Sequence, residues 1–407
     1  MLSFPPHLVR EYLERFGIGP QHCVLDPFCG TGTVLVECKK LGIPSLGVEA
    51  NPMAHFASRV KTDWTPDPRG LMEHAKRCAA IASAKLEAEG IPDVPLFSLS
   101  GNGHHSTLRE LPEDLDGLLL KGSISPLPLH KALVLIDTLE EHQDSRFSDH
   151  ERLALAKALV FSVSNLHFGP EVGVGKQKPD APVIAAWLAL VRSMVEDLEG
   201  VASEARTPAR AFLCDSRRIL EAVQPSSVDA VITSPPYPNE KDYTRTTRLE
   251  SVLLGFIHSK ADLQALKRNL VRSNTRGVYK ADSDDEWVAE HEEIQRIAAA
   301  IEARRIELGK TSGFERQYHR VTKLYFGGMA RQLAELRTIL RPGAQLAYVV
   351  GDQASYLRVM IRTGQLLASI AEPLGYEVVN VDLFRTRLAT ATKEQLREEV
   401  VVLRWHG

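Results

Sequence analysis

The sequence is short of several things that would place it in familiar classes. It has no apolar stretch long enough to span a bilayer and no charged-then-apolar opening of the signal-peptide kind, so a cytoplasmic protein without a membrane partner is the expectation. Its five cysteines (Cys23, Cys29, Cys38, Cys78 and Cys214) are an odd number, lack CxxC spacing and do not cluster with histidines; neither a disulfide framework nor a metal site is expected. A basic excess is also missing. The 49 Lys and Arg are outnumbered by 52 Asp and Glu, for a formal net charge of -3. That argues against a general nucleic-acid coat and leaves room for a site-specific protein with a local basic cleft. There are no internal repeats and no low-complexity tract.

The 407 residues, 44% hydrophobic and 25% charged, suffice for one large domain with insertions or for two domains. Short Val/Ile/Leu-rich runs bounded by Gly, Pro, Asp or Asn recur at residues 22–28, 42–50, 210–216, 227–234, 343–352, 375–384 and 397–405. This is the profile of strands buried on both faces. Helical periodicity lies between several of them, in TVLVECKKLG, MARQLAELRTILRPG and RTGQLLASIAEPLG. Alternating strands and helices predict an α/β fold with a doubly wound sheet. Residues 57–205, mostly helical with a turn-rich middle, interrupt the rhythm and form a candidate target-recognition region. Residues 240–330 interrupt it again, and DSDDEWVAEHEEIQRIAAAIEARRIELG within them reads as one helix, acidic at its start and basic toward its end. The sheet-forming part is then discontinuous, 1–56 and 206–407.

VLDPFCGTGTVLVECKKLGIPSLGVEANP begins at Val24. A strand ends at Asp26, Gly30 and Gly32 form a tight loop, and a helix starts near Thr33. Glycines there let the backbone approach a ligand. Glu49, at the end of the next strand, is placed to accept from both ribose hydroxyls of a nucleoside cofactor. An ordinary strand–helix turn is the bland alternative, but it does not account for the acid after the second strand. The third glycine of a dinucleotide fingerprint is absent, and so is the GK[ST] of a P-loop. With no lysine in the loop to hold phosphates, an adenosine without pyrophosphate is favoured.

DPFCGTGT, GVEANP and TSPPY together resemble the signature motifs of the S-adenosylmethionine-dependent DNA amino-methyltransferases, and TSPPY resembles the cytosine-N4 branch. The adenine-N6 branch more often has Asp or Asn in place of Ser234. FPPHLVREYLERFG and the C-terminal REEVVVLRW are similar to the segments that open and close that fold. The resemblance implies a class I methyltransferase (Rossmann-like) seven-stranded sheet, its last strand antiparallel, with largely helical insertions, and S-adenosyl-L-methionine as cofactor. It implies that Asp26, Phe28, Gly30, Thr31, Gly32 and Thr33 surround the methionine moiety and that Glu49 holds the ribose. Asn51 would lie beside the adenine and Asp215 would meet its exocyclic amine. Phe4 and Pro5 would close over the cofactor, and Thr233 would complete the cofactor side. The N-terminal motif begins almost at Met1, a departure that weakens the reading of Phe4 and Pro5.

The stiff stretch Ser234-Pro235-Pro236-Tyr237 then has a chemical reason. A base's amino nitrogen is a poor nucleophile because its lone pair is delocalised into the ring. Acceptors on its two N–H bonds, the Ser234 hydroxyl and the Pro235 carbonyl, would turn that pair toward the methyl group, with the prolines fixing φ and removing donors. Tyr237 would stack on a base flipped out of duplex DNA. A plain turn after a strand, or an exposed proline-rich ligand, are the alternatives. Basic residues follow: Lys241, Arg245 and Arg248, then Arg272 and Arg276, in clusters interleaved with tyrosines that suit phosphate contact and stacking. Lys176 and Lys178 sit in a glycine-rich stretch that is equally readable as a DNA-facing loop or as a helix connection. A solvated face is the bland reading of any one cluster.

The expected partner is double-stranded DNA in the nucleoid, with a cognate restriction endonuclease as a further partner. The rivals are an adenine-N6 enzyme, an RNA or protein-glutamine methyltransferase of related fold, and a nucleic-acid-binding regulator without catalysis. The last predicts no cofactor binding.

Overall fold

The computed structural model describes residues 5–93, 108–169, 171–201, 206–239, 241–388 and 395–407. Its strands are β1 (Val24–Asp26), β2 (Ser45–Glu49), β3 (Leu166–Phe168), β4 (Val172–Val174), β5 (Ala209–Leu213), β6 (Val228–Thr233), β7 (Leu340–Gly351), β8 (Tyr376–Leu388) and β9 (Gln395–Trp405). The chain divides into two compact units. The first comprises residues 1–62, 206–242 and 265–407; the second comprises 63–205 and 243–264.

The first unit carries a seven-stranded sheet in the order β5-β2-β1-β6-β7-β9-β8. All seven strands coincide with the apolar runs read from the sequence. β1 pairs in parallel with β2 and β6, and β6 with β7, while β9 runs antiparallel to both β7 and β8. Chain order grows outward from β1 in one direction through β2 to β5, then returns to start again on the other side with β6. The reversal falls between β1 and β6, which is where ligands bind in open α/β sheets.

Burial on both faces follows the pleat, since successive side chains point to opposite sides. Val24, Ala230, Ile232, Ala347, Val349, Val400 and Val402 pack on one side with Leu8, Tyr12 and Leu13 of helix Pro6–Arg15 and Val34, Leu35 and Cys38 of helix Thr33–Lys40. Their neighbours Leu25, Val231, Leu346, Tyr348, Val350, Val401 and Leu403 face the other core, with Phe326, Met329 and Leu333 of helix Tyr318–Leu336 and Leu366 and Leu367 of helix Thr363–Ala371.

The long helix expected from residue 282 is broken in two. Asp284–Val288 is a 3-10 turn, and helix Glu292–Glu307 starts only after His291, whose side chain accepts from the Ile294 amide. The cause lies in another helix. A Cβ on Gly327 would sit 1.8 Å from the Asp284 carbonyl oxygen, so the glycine admits the 284 backbone against helix Tyr318–Leu336. That contact fixes the turn. The first boundary also differs from expectation: helix Pro52–Thr62 runs across residue 57 and stays with the sheet.

The second unit is mostly helical. Pro68–Ala88, Pro126–Glu141, Ser148–Ala158 and Val183–Gly200 surround the buried Trp187, whose indole N–H donates to the Glu151 carbonyl at 2.9 Å. Asp93 caps helix Val183–Gly200 by accepting from the amides of Val183, Ile184 and Ala185. At the start of the glycine-rich stretch, β3 and β4 form a small antiparallel ribbon. Among the described residues no helix is long and apolar enough to cross a membrane.

Candidate active site

β1 ends in an Asx turn, with the Asp26 Oδ1 accepting from the Phe28 amide at 3.0 Å. The same oxygen accepts from the Thr233 hydroxyl at 2.6 Å. β6 is thereby joined to the glycine loop at the point where strand order reverses. Asp26 is almost wholly buried (1% exposed), and burial pushes its carboxyl up to about 7, with the charge of Glu49 adding and the Thr233 and Phe28 hydrogen bonds opposing.

The loop needs its glycines for two reasons. Gly30 and Gly32 have φ of 52° and 85°, in the left-handed region. A Cβ on Gly32 would lie 2.6 Å from the Ser58 hydroxyl, so helix Pro52–Thr62 closes in from behind. A Cβ on Gly30 would meet nothing within 4 Å; it would project into open space, as a cradle for a ligand requires. Lys61 donates to the carbonyl and hydroxyl of Thr31 at 3.0 and 3.2 Å, tying the loop to that helix.

Glu49, half-buried at the end of β2, accepts from the Gly30 amide at 2.9 Å and the Asn51 amide at 2.7 Å. Burial raises its carboxyl and these backbone bonds lower it. Asn51 is a helix cap: its Oδ1 accepts from the amides of Met53 and Ala54 at 3.0 and 3.4 Å. Asp215, two residues past β5, is already engaged. Its two oxygens take the Arg217 guanidinium at 2.7 and 3.0 Å, and Arg217 also pairs with Asp284. A cofactor amine would meet a carboxylate held by that ion network. Phe28 is half-buried beside the loop, and Pro5 immediately precedes helix Pro6–Arg15. Phe4 lies outside the described residues.

Ser234, Pro235, Pro236 and Tyr237 follow directly on β6. Pro235 is buried, while Ser234, Pro236 and Tyr237 are partly exposed. Burial raises the Tyr237 phenol, the nearby Glu398 carboxylate adds to this, and a hydrogen bond with the Ser234 side chain opposes. Gly351, Arg385, Arg387 and Glu398 stand near this segment and were not singled out from the sequence. They come from β7, β8 and β9, and only strand register brings them here.

The basic residues divide. Arg248, 7% exposed, donates to the Thr244 carbonyl and hydroxyl and to the Leu118 carbonyl. Arg272, 5% exposed, forms a two-pronged pair with Asp282 at 2.8 and 2.9 Å and donates to backbone carbonyls. Both guanidinium groups are engaged within the protein. The guanidinium carries enough donors to organise irregular backbone, and in both cases it does so. Lys178 is half committed, donating to the Ser162 carbonyl at 2.9 Å. Arg276 lies over the Phe314 ring at 5.6 Å. Lys241 leads from the tyrosine motif into the next segment, where its carbonyl accepts from Asn274. Lys176 is exposed and Arg245 partly so.

A sheet of this order with an antiparallel closing strand, a glycine loop after β1 and an acid after β2 is the class I methyltransferase (Rossmann-like) fold. Residues 2–58, which hold the loop and Glu49, match the DNA methylase family. The chain is similar over nearly its whole length to the type II methyltransferase M.BsoBI of Geobacillus stearothermophilus, at 24% identity over 438 residues, covering 99% of this chain and 82% of the relative. It is 28% identical over 212 residues to the type II methyltransferase M.AvaI of Nostoc sp., covering 49% of this chain and 42% of that one. Among solved structures, the rRNA methyltransferase aviRa of Streptomyces viridochromogenes overlaps 99% of this chain and 86% of its own, at 10% identity and a TM-score of 0.34.

Proposed function

We propose that this enzyme transfers the methyl group of S-adenosylmethionine to the N4 amine of a cytosine flipped out of duplex DNA, at a specific sequence. The observation that carries the reading is the Asp26–Thr233 hydrogen bond. It sets Ser234-Pro235-Pro236-Tyr237 beside the glycine loop, so the groups suited to a base amine and those suited to the cofactor share one strand edge.

The cofactor supplies a methyl carbon on a positively charged sulfur. Gly30, Thr31 and Gly32 offer bare or small faces to its methionine part, with Asp26, Phe28 and Thr33 around them. Glu49 would accept from the ribose, and Asn51 and the Asp215–Arg217 pair would face the adenine. Ser234 Oγ and the Pro235 carbonyl accept from the two amine hydrogens, and Tyr237 stacks on the base. The amine lone pair forms the N–C bond as the C–S bond breaks, and sulfur keeps that electron pair. The amine then loses one proton to water. Alignment of nitrogen, carbon and sulfur supplies much of the rate.

The second unit, 63–205 with 243–264, is the candidate reader of the target sequence. Lys176, Lys241, Arg245 and Arg276 remain candidates for phosphate contact. A cognate restriction endonuclease is the partner suggested by the type II relatives.

Sequencing that detects modified bases, on DNA from cells expressing the chain, tests the proposal. N4-methylcytosine at one short motif is expected. N6-methyladenine would overturn the base assignment made from Ser234. Unmodified DNA, with cofactor binding intact, would overturn DNA as substrate.

A further inference from the structure

A row of three residues crosses the sheet beside the tyrosine. Gly351 ends β7 and lies opposite Glu398 in the antiparallel pairing with β9; Glu398 in turn lies opposite Arg385 of β8. A Cβ built on Gly351 would stand 3.1 Å from Tyr237 Cε2 and 3.4 Å from Glu398 Cγ. The tyrosine ring and the glutamate stem therefore flank one bare α-carbon, and a side chain there would crowd both. Glu398 is 8% exposed. A carboxylate so placed is costly unless paired, and Arg385 Nε donates to its Oε2 at 2.5 Å while Arg387 Nε lies 3.7 Å from its Oε1. The β8 register shifts between Leu383 and Arg385. Such a bulge re-aims the side chains that follow it, and here both arginines turn toward the one carboxylate.

We infer that Glu398 is a positioning residue for Tyr237: held by Arg385, and seated against the bare Gly351, it fixes the tilt of the tyrosine ring over the base pocket. The inference rests on the proposed role of Ser234–Tyr237 in base-amine methylation. The ring lies against the Gly351 backbone with the anchored Glu398 stem on the other side of that α-carbon, an arrangement that narrows the orientations in which it can receive a planar base. Stacking demands that orientation before the amine can be aligned. The charge of Glu398 also acts on the phenol in the sense that keeps it protonated, able to meet the Ser234 hydroxyl.

The test uses the full chain with Glu398→Gln, which keeps the shape and removes the charge. Three readouts are taken: cofactor affinity by calorimetry, single-turnover methyl transfer, and the ultraviolet titration of Tyr237 isolated by difference against Tyr237→Phe. The expected result is unchanged cofactor affinity, a transfer rate lower by on the order of tenfold to a hundredfold, little change in KM for DNA, and a Tyr237 titration moved downward. Gly351→Ala, which crowds the ring without touching the charge, is expected to cost a similar factor in rate. Arg385→Lys, which keeps a cation opposite Glu398, should retain most of the wild-type rate. Wild-type rate and wild-type Tyr237 titration in Glu398→Gln would overturn the inference. The titration needs no substrate, so a downward shift in a protein that does not methylate DNA would sustain the coupling and remove only the DNA reading.

Discussion

On the β1–β2–β5 side of the sheet edge, polar side chains answer mainly to backbone amides. Asp26 takes the Phe28 amide, Glu49 those of Gly30 and Asn51, and Asn51 those of Met53 and Ala54. On the β6–β7–β9–β8 side they answer to one another: Ser234 to Tyr237, and Glu398 to Arg385 and Arg387. Amides that belong to a tight loop are local and fixed by nearby sequence. The Glu398 pairs, like the Thr233–Asp26 hydrogen bond, cross strands, depend on register and are assembled from distant parts of the chain. The first side suits a ligand that never changes, the second a base whose identity and angle must be set.

The sharpest way to break this comparison is on the second side. Ser234→Ala or Tyr237→Ala is expected to lower methyl transfer by at least about a hundredfold and to leave cofactor affinity as it is, read by single-turnover kinetics and calorimetry. Unchanged turnover in either variant sinks the assignment. Arg272→Ala should cost about 3 kcal/mol of stability, because it strands Asp282 and the carbonyls that Arg272 organises. Chemical denaturation measures this, and a loss of DNA affinity without destabilisation would restore Arg272 as a contact. Glu49→Gln should weaken the cofactor by about tenfold and leave the rate at saturation nearly intact, so that the first side binds and the second transforms.

Asp26 sharpens the comparison through pH. Its carboxyl titrates near 7 because it is buried. A bound cofactor ammonium facing it would favour the ionised form, so binding releases a proton. Affinity should therefore rise severalfold as pH climbs through about 7 and level off above, and Asp26→Asn should flatten the profile. A profile as steep in Asp26→Asn as in wild type would remove Asp26 from the cofactor site. The smallest expected effect is at Lys176. Its replacement by Ala should leave stability within about 0.5 kcal/mol and reduce the salt dependence of DNA binding by about one phosphate contact.

Legibility in the sequence followed the same division. The strands were readable because those of a sheet covered on both faces are short apolar runs with turn residues at their ends. The glycine loop was readable because its glycines, Asp26 and Glu49 are bound to one βαβ unit of continuous sequence. Of the segment proposed to face the base, only the contiguous Ser-Pro-Pro-Tyr was marked in the sequence. Glu398 and Arg385 were not, since nothing local marks a carboxylate and a guanidinium that will meet through β8–β9 register. The intramolecular bonds of Arg248 and Arg272 were hidden for a related reason: a basic residue beside tyrosines looks alike whether it faces phosphate or buries itself on carbonyls. The split of the 282–309 helix was hidden because its cause, Gly327, belongs to a different helix.

The central claim is that the groups at the end of β6 deliver a methyl group to a base amine in DNA. The most direct measurement incubates the purified protein with duplex DNA and isotopically labelled S-adenosylmethionine, digests the DNA to nucleosides and identifies the labelled one by mass, for wild type and Ser234→Ala side by side. Labelled N4-methylcytosine is expected from the wild type and none from Ser234→Ala. Label found in RNA or protein with the DNA unmodified, or equal N4-methylcytosine from both proteins, would contradict it.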